Sequence, residues 1–542
     1  MSRAARVALC SITLLASRAD IAAPQGGHNA PSAGPPVLVV LVVVDQLRPD
    51  YLDRFSAQFT GGLARVRSQA ALFTNARQDH AVTETAPGHA TLMSGREPTH
   101  TEIVTNLKGV PDPAAALNGG VQGPGASPRR FKGTTLYDWL VARDSSVRVL
   151  SVSRKDRGAI LPVGRARGDV YWFADGRFTS STYYADVLPD WVRSYNDSLH
   201  LERFAGTRWE LLLRDPSAYG EPDSVPLEHG GTDFTFPHIL PPTDALRGAL
   251  QEYPWMDSLT FDFALRGVKT LGLGQRVLLG WPGARLADFL SISLSTTDAI
   301  GHAYGPDSRE LHDHLLRLDG WLGAFLDSLA RQVPPERMLL VLTSDHGVEP
   351  FPEAEVPRTG RGGRAWLADI ANTADAELRG RYHIDFGLEF DNGLLSADVP
   401  AMRARGINVD SVATSLARAA VQRAGIAGAY TPRTLAAAPA ADAAAVRWRR
   451  TIPATWGWLM AAVAKPGYVW SPGRSIAEHG TPHPQELTVP IAFMGPGIPA
   501  ARYARLVRTV DIAPTLAVLL GIRPTEPLDG VPIAEIVRPR NR

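Results

Sequence analysis

The sequence predicts an α/β fold, with a mostly parallel central sheet flanked by helices and carrying cap insertions. Three short apolar runs lead to that expectation, each rich in Val, Leu or Ile and each closed by an aspartate. They are Val37–Val44 (VLVVLVVV) before Asp45, Phe289–Thr297 (FLSISLSTT) before Asp298, and Met338–Ser344 (MLLVLTS) before Asp345. Apolar runs this short suit strands buried on both faces better than helices. A second observation is the stretch Ser308–Leu329. Its Leu311, Leu315, Leu318, Leu322, Phe325 and Leu329 recur at helical spacing and give one face that can pack on a sheet.

Taken in chain order, the elements begin with a leader. Arg3 and Arg6 precede the apolar stretch Val7–Ala16, and small residues follow, which is the pattern of a secretory signal peptide over residues 1–23. Residues 24–36 form a Gly/Pro/Ala/Ser linker. The leader is too short for a transmembrane helix, and no later segment offers about 18 uninterrupted apolar residues. The mature protein is therefore expected to be exported, periplasmic or secreted, with no stable membrane anchor. Cys10 is the only cysteine and lies in the leader, which excludes disulfides and thiolate zinc sites downstream. The bulky Leu9 before it speaks against a lipoprotein anchor.

Further strands are expected at Val147–Val152, Val170–Phe173 and Val489–Met494. Residues of about 175–270 and 350–475 interrupt this pattern and read as cap insertions over the sheet edge. His312 and His314 on the long helix read as packing or surface residues. The 542 residues accommodate one large α/β domain from residue 37 onward, and a net charge of +1 gives no electrostatic case for a nucleic acid partner. The sequence leaves the oligomeric state open.

In open α/β sheets ligands bind at the carboxyl ends of strands, so Asp45, Asp298 and Asp345 can converge there. A lone strand-end aspartate is more often a turn former or helix cap. Here His302 and His346 accompany two of the three, and carboxylate with imidazole suits a borderline metal such as zinc. His479 precedes the strand at Val489 and would bring a third imidazole to the same edge. Thr85 stands two residues before Pro87, which belongs in a first helical turn, so Thr85 is expected at the N-cap, where free N–H groups favour an anion. It could be a nucleophile or merely a cap. Lys155 and Arg157 follow another strand and suit phosphate oxygens. Lys155 stands out because the chain has only five lysines against 51 arginines.

With these pieces the chain resembles the alkaline phosphatase superfamily, including its type I phosphodiesterase/nucleotide pyrophosphatase group. It is most similar to the single-chain PafA-like alkaline phosphatases. The motifs are VVVDQLRPDY around Asp45, TETAPGHATLMSG around Thr85, Asn106, KDR at Lys155–Arg157, DAIGH, SDHG, EHGTP, and the C-terminal VDIAPTLAVLLGI and LDGVPI. The resemblance implies two Zn2+ ions. Asp298, His302 and His479 would hold one; Asp45, Asp345 and His346 would hold the other, with Thr85 also on the second. His483, in the same loop as His479, fits the pattern less well.

It also implies Thr85 as the catalytic nucleophile, a phosphothreonine intermediate, and Asn106, Lys155 and Arg157 as substrate-binding residues on the non-bridging oxygens. The Lys-x-Arg pair resembles the phosphate monoester branch, so small-molecule phosphate monoesters are the expected substrates. The alternative is a phosphodiesterase or nucleotide pyrophosphatase with the same metal site. A sulfatase would need a Cys/Ser-x-Pro-x-Arg pattern where this chain has Thr85-Ala-Pro87-Gly-His89. A non-catalytic binding protein with a relic metal site is the reading from another class, and the complete ligand set together with Thr85 argues against it.

Overall fold

Strand β1 (Leu38–Val44) occupies the middle of a ten-stranded sheet, and all seven of its side chains are buried. Alternate residues feed two separate cores. Leu38, Val40, Val42 and Val44 pack on one face, and Val39, Leu41 and Val43 on the other. This two-sided burial is why the run is apolar at every position rather than every second one.

The computed structural model describes residues 34–473 and 477–537, so the expected leader, Cys10 and most of the linker lie outside the described residues. Within the described part, everything from Pro35 onward belongs to one unit. The other main-sheet strands are β2 (Ala71–Arg77), β3 (Val149–Ser153), β4 (Asp169–Ala174), β5 (Arg177–Thr179), β6 (Asp288–Leu294), β7 (Met338–Thr343), β8 (Thr488–Met494), β9 (Ala501–Tyr503) and β10 (Val507–Arg508). Their order is β9-β2-β8-β7-β1-β6-β3-β4-β5, with β10 also beside β2. The block β7-β1-β6-β3-β4 is parallel. Strand β8 runs antiparallel to both β7 and β2, and β5 is an antiparallel edge on β4. The mostly parallel α/β sheet expected from the sequence is therefore present.

Helix α1 (Thr85–Ser94) packs Ala86, Ala90, Leu92 and Met93 against one face of the sheet. On the other face lie α2 (Trp255–Leu271), α3 (Thr296–Tyr304) and α4 (Arg309–Ala330). The six apolar residues that predicted α4 all enter that core, and Ser308 caps the helix by accepting the Leu311 N–H at 3.1 Å. His312 and His314 are buried packing residues, as expected. The first lies 2.8 Å from Glu221 and the second 3.0 Å from Thr297.

Two local expectations need correction. The run Phe289–Thr297 is strand only to Leu294, and Thr296 and Thr297 already belong to α3, so Asp298 sits in the first turn of a helix. Thr85 is the first helical residue rather than the N-cap, a position held by Glu84 in extended geometry.

The two stretches read as insertions differ in character. Within 175–270, β5 extends the main sheet, and α2 contributes Phe263, Ala264 and Val268 to its core. Within 350–475, short strands at 389–391, 394–396, 426–430 and 458–464 form a separate four-stranded antiparallel sheet with its own core, including Leu395, Met402, Leu416 and Leu459.

Candidate metal centre

Register brings the distant motifs level. Val44 pairs with Leu294, Val43 with Thr343, and Ser293 with Ser153, so Asp45, Asp345 and Lys155 leave their strands at one edge. The antiparallel β8 starts at that same edge, which places the preceding His479 there. Its partner β2 ends there, with Arg77 opposite Thr488, and leads into Thr85.

Two groups of possible ligands result. In the first, Asp298 and His302 are four residues apart on α3, with His302 Nε2 at 3.3 Å and His479 Nε2 at 3.5 Å from Asp298 Oδ1. In the second, His346 Nε2 lies 3.5 Å from Asp45 Oδ1 and 3.6 Å from Asp345 Oδ2. These are the two sets expected from the sequence. His483 belongs to neither, and sits instead beside Glu349 and Glu486.

The donor atoms are prepared for a cation. Each imidazole has Nδ1 at a backbone carbonyl: His302 at Ala477 (2.6 Å), His479 at Thr83 (2.7 Å) and His346 at Gly347 (3.0 Å). Donating Nδ1–H in this way turns the Nε2 lone pair inward. The Nε2 atoms of His302 and His479 then face each other at 3.1 Å, an arrangement that calls for a proton or a metal between them. In the second group Asp45 Oδ1 and His346 Nε2 are buried with no hydrogen-bond partner, and Asp345 Oδ2 has only His89 Nδ1 at 3.1 Å. Leaving such atoms unpaired is costly, and a divalent ion satisfies all three.

Electrostatics follow the same logic. Burial, then the Asp298 and Asp345 carboxylates, push Asp45 up. Burial also pushes Asp298 up, but Lys155 and His302 outweigh it and hold the group well below the usual carboxylate range. Burial and the neighbouring His479 keep His346 neutral, as a ligand must be. Burial lowers His302, but Asp298 and Glu478 lift it to about 9, so a metal at this carboxylate competes with a proton.

Lys155 lies between the groups. Its Nζ donates to Asp45 Oδ2 and Asp298 Oδ2, each at 2.6 Å, and lies 3.2 Å from Thr85 Oγ1. Each carboxylate is thereby divided, with Oδ2 on the ammonium and Oδ1 facing the imidazoles. Thr85 is buried at the start of α1. Asn106 is docked beside it. Its Oδ1 accepts the Ala86 N–H (2.9 Å), and its own N–H and Nδ2 donate to Glu84 (2.7 and 3.2 Å). Arg157 opens the short helix after Lys155, and its buried Nε has no partner.

Several supporting residues carried no signal of their own in the sequence. Gln46 donates its backbone N–H to Asp345 Oδ1 (3.2 Å) and its amide to Asp298 Oδ1 (3.1 Å), which ties the two groups together. It does so from φ +67, a left-handed conformation uncommon for a non-glycine residue. Gly301 lies opposite it, and a Cβ there would displace the Gln46 amide. His89 sits four residues after Thr85 on α1. Its Nδ1 is 2.9 Å from the Thr85 carbonyl and 3.1 Å from Asp345 Oδ2, and its Nε2 is 2.8 Å from Ser293 Oγ. That helical spacing was the available clue.

A cleft of about 820 Å³ opens onto the first group. Its lining includes Arg154, Lys155, Arg157, Asp298 and His302 together with Leu117, Trp172 and Phe173. Among the described residues, no helix is long and apolar enough to cross a membrane.

Comparison with known proteins finds relatives over nearly the whole chain. The chain is 28% identical to alkaline phosphatase PhoV of Synechococcus elongatus over 93% of each chain. It is 26% identical to alkaline phosphatase PafA of Elizabethkingia meningoseptica, over 94% of this chain and 96% of that one. The crystal structure of wild-type alkaline phosphatase PafA superposes with a TM-score of 0.81 at 26% identity, covering 93% of this chain and 99% of that one. Residues 39–477 match the family described as type I phosphodiesterase/nucleotide pyrophosphatase, and the chain belongs to that family.

Proposed function

We propose that this protein is an exported, zinc-dependent phosphate monoester hydrolase, an alkaline phosphatase that works through a phosphothreonine on Thr85 and releases inorganic phosphate. The observation that carries this reading is the position of Lys155, whose ammonium reaches one carboxylate of each ligand group and the Thr85 hydroxyl. A monoester dianion offers one more charged oxygen than a diester, and a buried cation beside the nucleophile suits it. The relatives named alkaline phosphatases support the same choice.

Asp298, His302 and His479 would hold one zinc, and Asp45, Asp345, His346 and Thr85 the other. When bound, the two ions would supply Lewis acidity at the attacking and leaving oxygens. Thr85 Oγ1 attacks phosphorus, and the bond from phosphorus to the departing alcohol oxygen breaks. Water then attacks the same phosphorus, the bond to Oγ1 breaks, and Thr85 is regenerated. Lys155, Arg157 and Asn106 hold the non-bridging oxygens while charge redistributes. Glu84 fixes Asn106, and His89 braces both Thr85 and Asp345. The loops within 175–270 act as a cap that bounds the substrate cleft through His229, Gly230, Gln251 and Glu252.

A phosphodiesterase reading keeps one observation in its favour, the match of residues 39–477 to the family described as type I phosphodiesterase/nucleotide pyrophosphatase. The ratio of kcat/KM for an aryl phosphate monoester to that for the matching diester decides between them. The expected result is a strong monoester preference that chelation abolishes and zinc restores. Thr85→Ala should stop turnover while leaving zinc content unchanged. A diester preference would overturn the monoesterase reading, and unchanged turnover in Thr85→Ala would overturn the covalent route.

A further inference from the structure

We propose a third divalent-metal site, formed by Glu349, His483 and Glu486, which takes a zinc-like ion and serves to fasten the two loops that carry catalytic ligands. The three side chains are buried, and one potential ligand atom from each lies within 4.8 Å of the others. His483 Nδ1 is 3.7 Å from Glu349 Oε1 and 4.0 Å from Glu486 Oε1. Ligands about 2.0–2.2 Å from a shared ion stand roughly 3.0–3.5 Å apart, so binding an ion here requires the two glutamates to draw in toward His483. The catalytic groups, at 3.3–3.6 Å between imidazole and carboxylate, are only slightly tighter.

The imidazole points to a ligand independently of the carboxylates. His483 is 7% exposed, and its Nδ1, turned toward Glu349 and Glu486, has no hydrogen-bond partner. Buried imidazoles are ordinarily hydrogen-bonded, as His302, His346 and His479 are here. Burial keeps His483 neutral, partly opposed by the nearby Ala464 carbonyl, so its lone pair is available. The Glu486 carboxylate is anchored rather than loose. Glu486 Oε2 accepts the Thr481 N–H at 2.7 Å and the Thr83 hydroxyl at 2.6 Å, and Oε1 accepts the Thr481 hydroxyl. Burial pushes both glutamates up, with Glu349 adding to the rise at Glu486 and Glu355 to that at Glu349, a cost that a shared cation removes. The nearby cation Arg48 is engaged with Asp50 at 2.9 Å and Gln485 at 3.2 Å. One histidine and two carboxylates form a nitrogen-and-oxygen set that suits zinc.

The loops joined are those of the catalytic centre. Residues 345–349 carry Asp345 and His346, and residues 478–487 carry His479. Their backbones already pair, with Gly347 N–H on Glu486 O at 2.7 Å and Glu349 N–H on Glu478 O at 3.1 Å. Thr83, which donates to Glu486, also receives His479 Nδ1 on its carbonyl.

The test is zinc per chain, measured by mass spectrometry on protein reconstituted with zinc and freed of excess metal. Glu349→Gln and His483→Gln should each contain one equivalent less than the wild type. Identical zinc content in the wild type and both variants would overturn the site. A second arm covers the case in which these variants do not fold. Asp45→Asn/Asp298→Asn, with both catalytic groups weakened, should retain one tightly held zinc in an otherwise wild-type background. Retention of none would overturn the proposal. Because the readout is metal content and not turnover, failure of the third site is distinguishable from failure of the phosphatase reading.

Discussion

Replacing Lys155 by Met probes the charge logic of the site directly. The side chain keeps its length and apolar stem but loses an ammonium that contacts Asp45 and Asp298 at 2.6 Å each and stands 3.2 Å from Thr85 Oγ1. Loss of one preorganised donor aimed at developing charge costs roughly 10²–10³ in rate, about 2.7–4 kcal/mol. The full penalty should fall on a monoester, whose additional anionic oxygen Lys155 pairs with. The matching diester has an organic group at that oxygen and should lose less than about tenfold, so the selectivity ratio should fall by one to two orders of magnitude. Zinc content is the control. The Oδ1 atoms that face the imidazoles do not depend on Lys155, so both zinc ions should remain. The assay is kcat/KM for an aryl monoester and its diester, wild type against variant, with metal content alongside. Equal losses on both substrates at full zinc occupancy would refute the discriminating role. Loss of zinc would show that the ammonium builds the ligand groups rather than reading the substrate.

Gly88→Ala would place a Cβ 2.7 Å from Asp345 Cβ and 2.9 Å from its carbonyl carbon, so either α1 or Asp345 must yield by several tenths of an ångström. Misplacement approaching 1 Å can cost about 10²-fold. A fall of roughly ten- to a hundredfold in kcat/KM with normal secondary structure is expected, and unchanged kinetics would argue against a rigid Thr85–Asp345 relation. Glu84→Gln retains one acceptor where Glu84 offers two to Asn106, so monoester kcat/KM should fall about tenfold with zinc unchanged. Glu97 is buried, with Oε2 unpartnered. Burial pushes it from 4.5 up to about 8, with Arg508 pulling the other way. Between those values the folded state keeps a proton that the unfolded state has lost. Stability therefore falls as pH rises, by at most about 1.4 kcal/mol per unit, and levels off above the folded value. Glu97→Gln removes that slope, so its melting temperature relative to wild type should rise from pH 5 to pH 9, and a pH-independent difference would refute the assignment.

The parallel core was legible because strands buried on both faces must be apolar at every position, as β1 is. Direction was not: Val489–Met494 reads the same whether parallel or antiparallel, and only pairing with β7 and β2 shows that it is reversed. The strand leading to Asp298 was extended too far because serine and threonine serve both as strand residues and at helix starts. That error concealed a helical relation, in which Asp298 and His302 share a face because they are four residues apart on α3. Gln46 was invisible because no residue-type rule assigns a left-handed conformation to glutamine. Glu349 was equally so, because its partners lie more than 130 residues away.

The distribution of hydrogen bonds explains why such dispersed segments can form a precise centre. His302, His479 and His346 are each oriented by a backbone carbonyl, and two of these carbonyls, Ala477 and Thr83, belong to other segments. The position of each Nε2 is thus tied to backbone, and the backbone at this edge is fixed by sheet register. Asp45 and Asp298 add a second constraint, since dividing each of these two carboxylates between Lys155 and the imidazoles leaves one of its oxygens for a cation. A site assembled this way gains little from side-chain flexibility and depends on contacts that hold the loops level. Gln46 supplies one such contact between the two ligand groups, and His89 another between nucleophile and ligand. The His483 cluster lies where a third is needed, between the loop that carries Asp345 and His346 and the loop that carries His479.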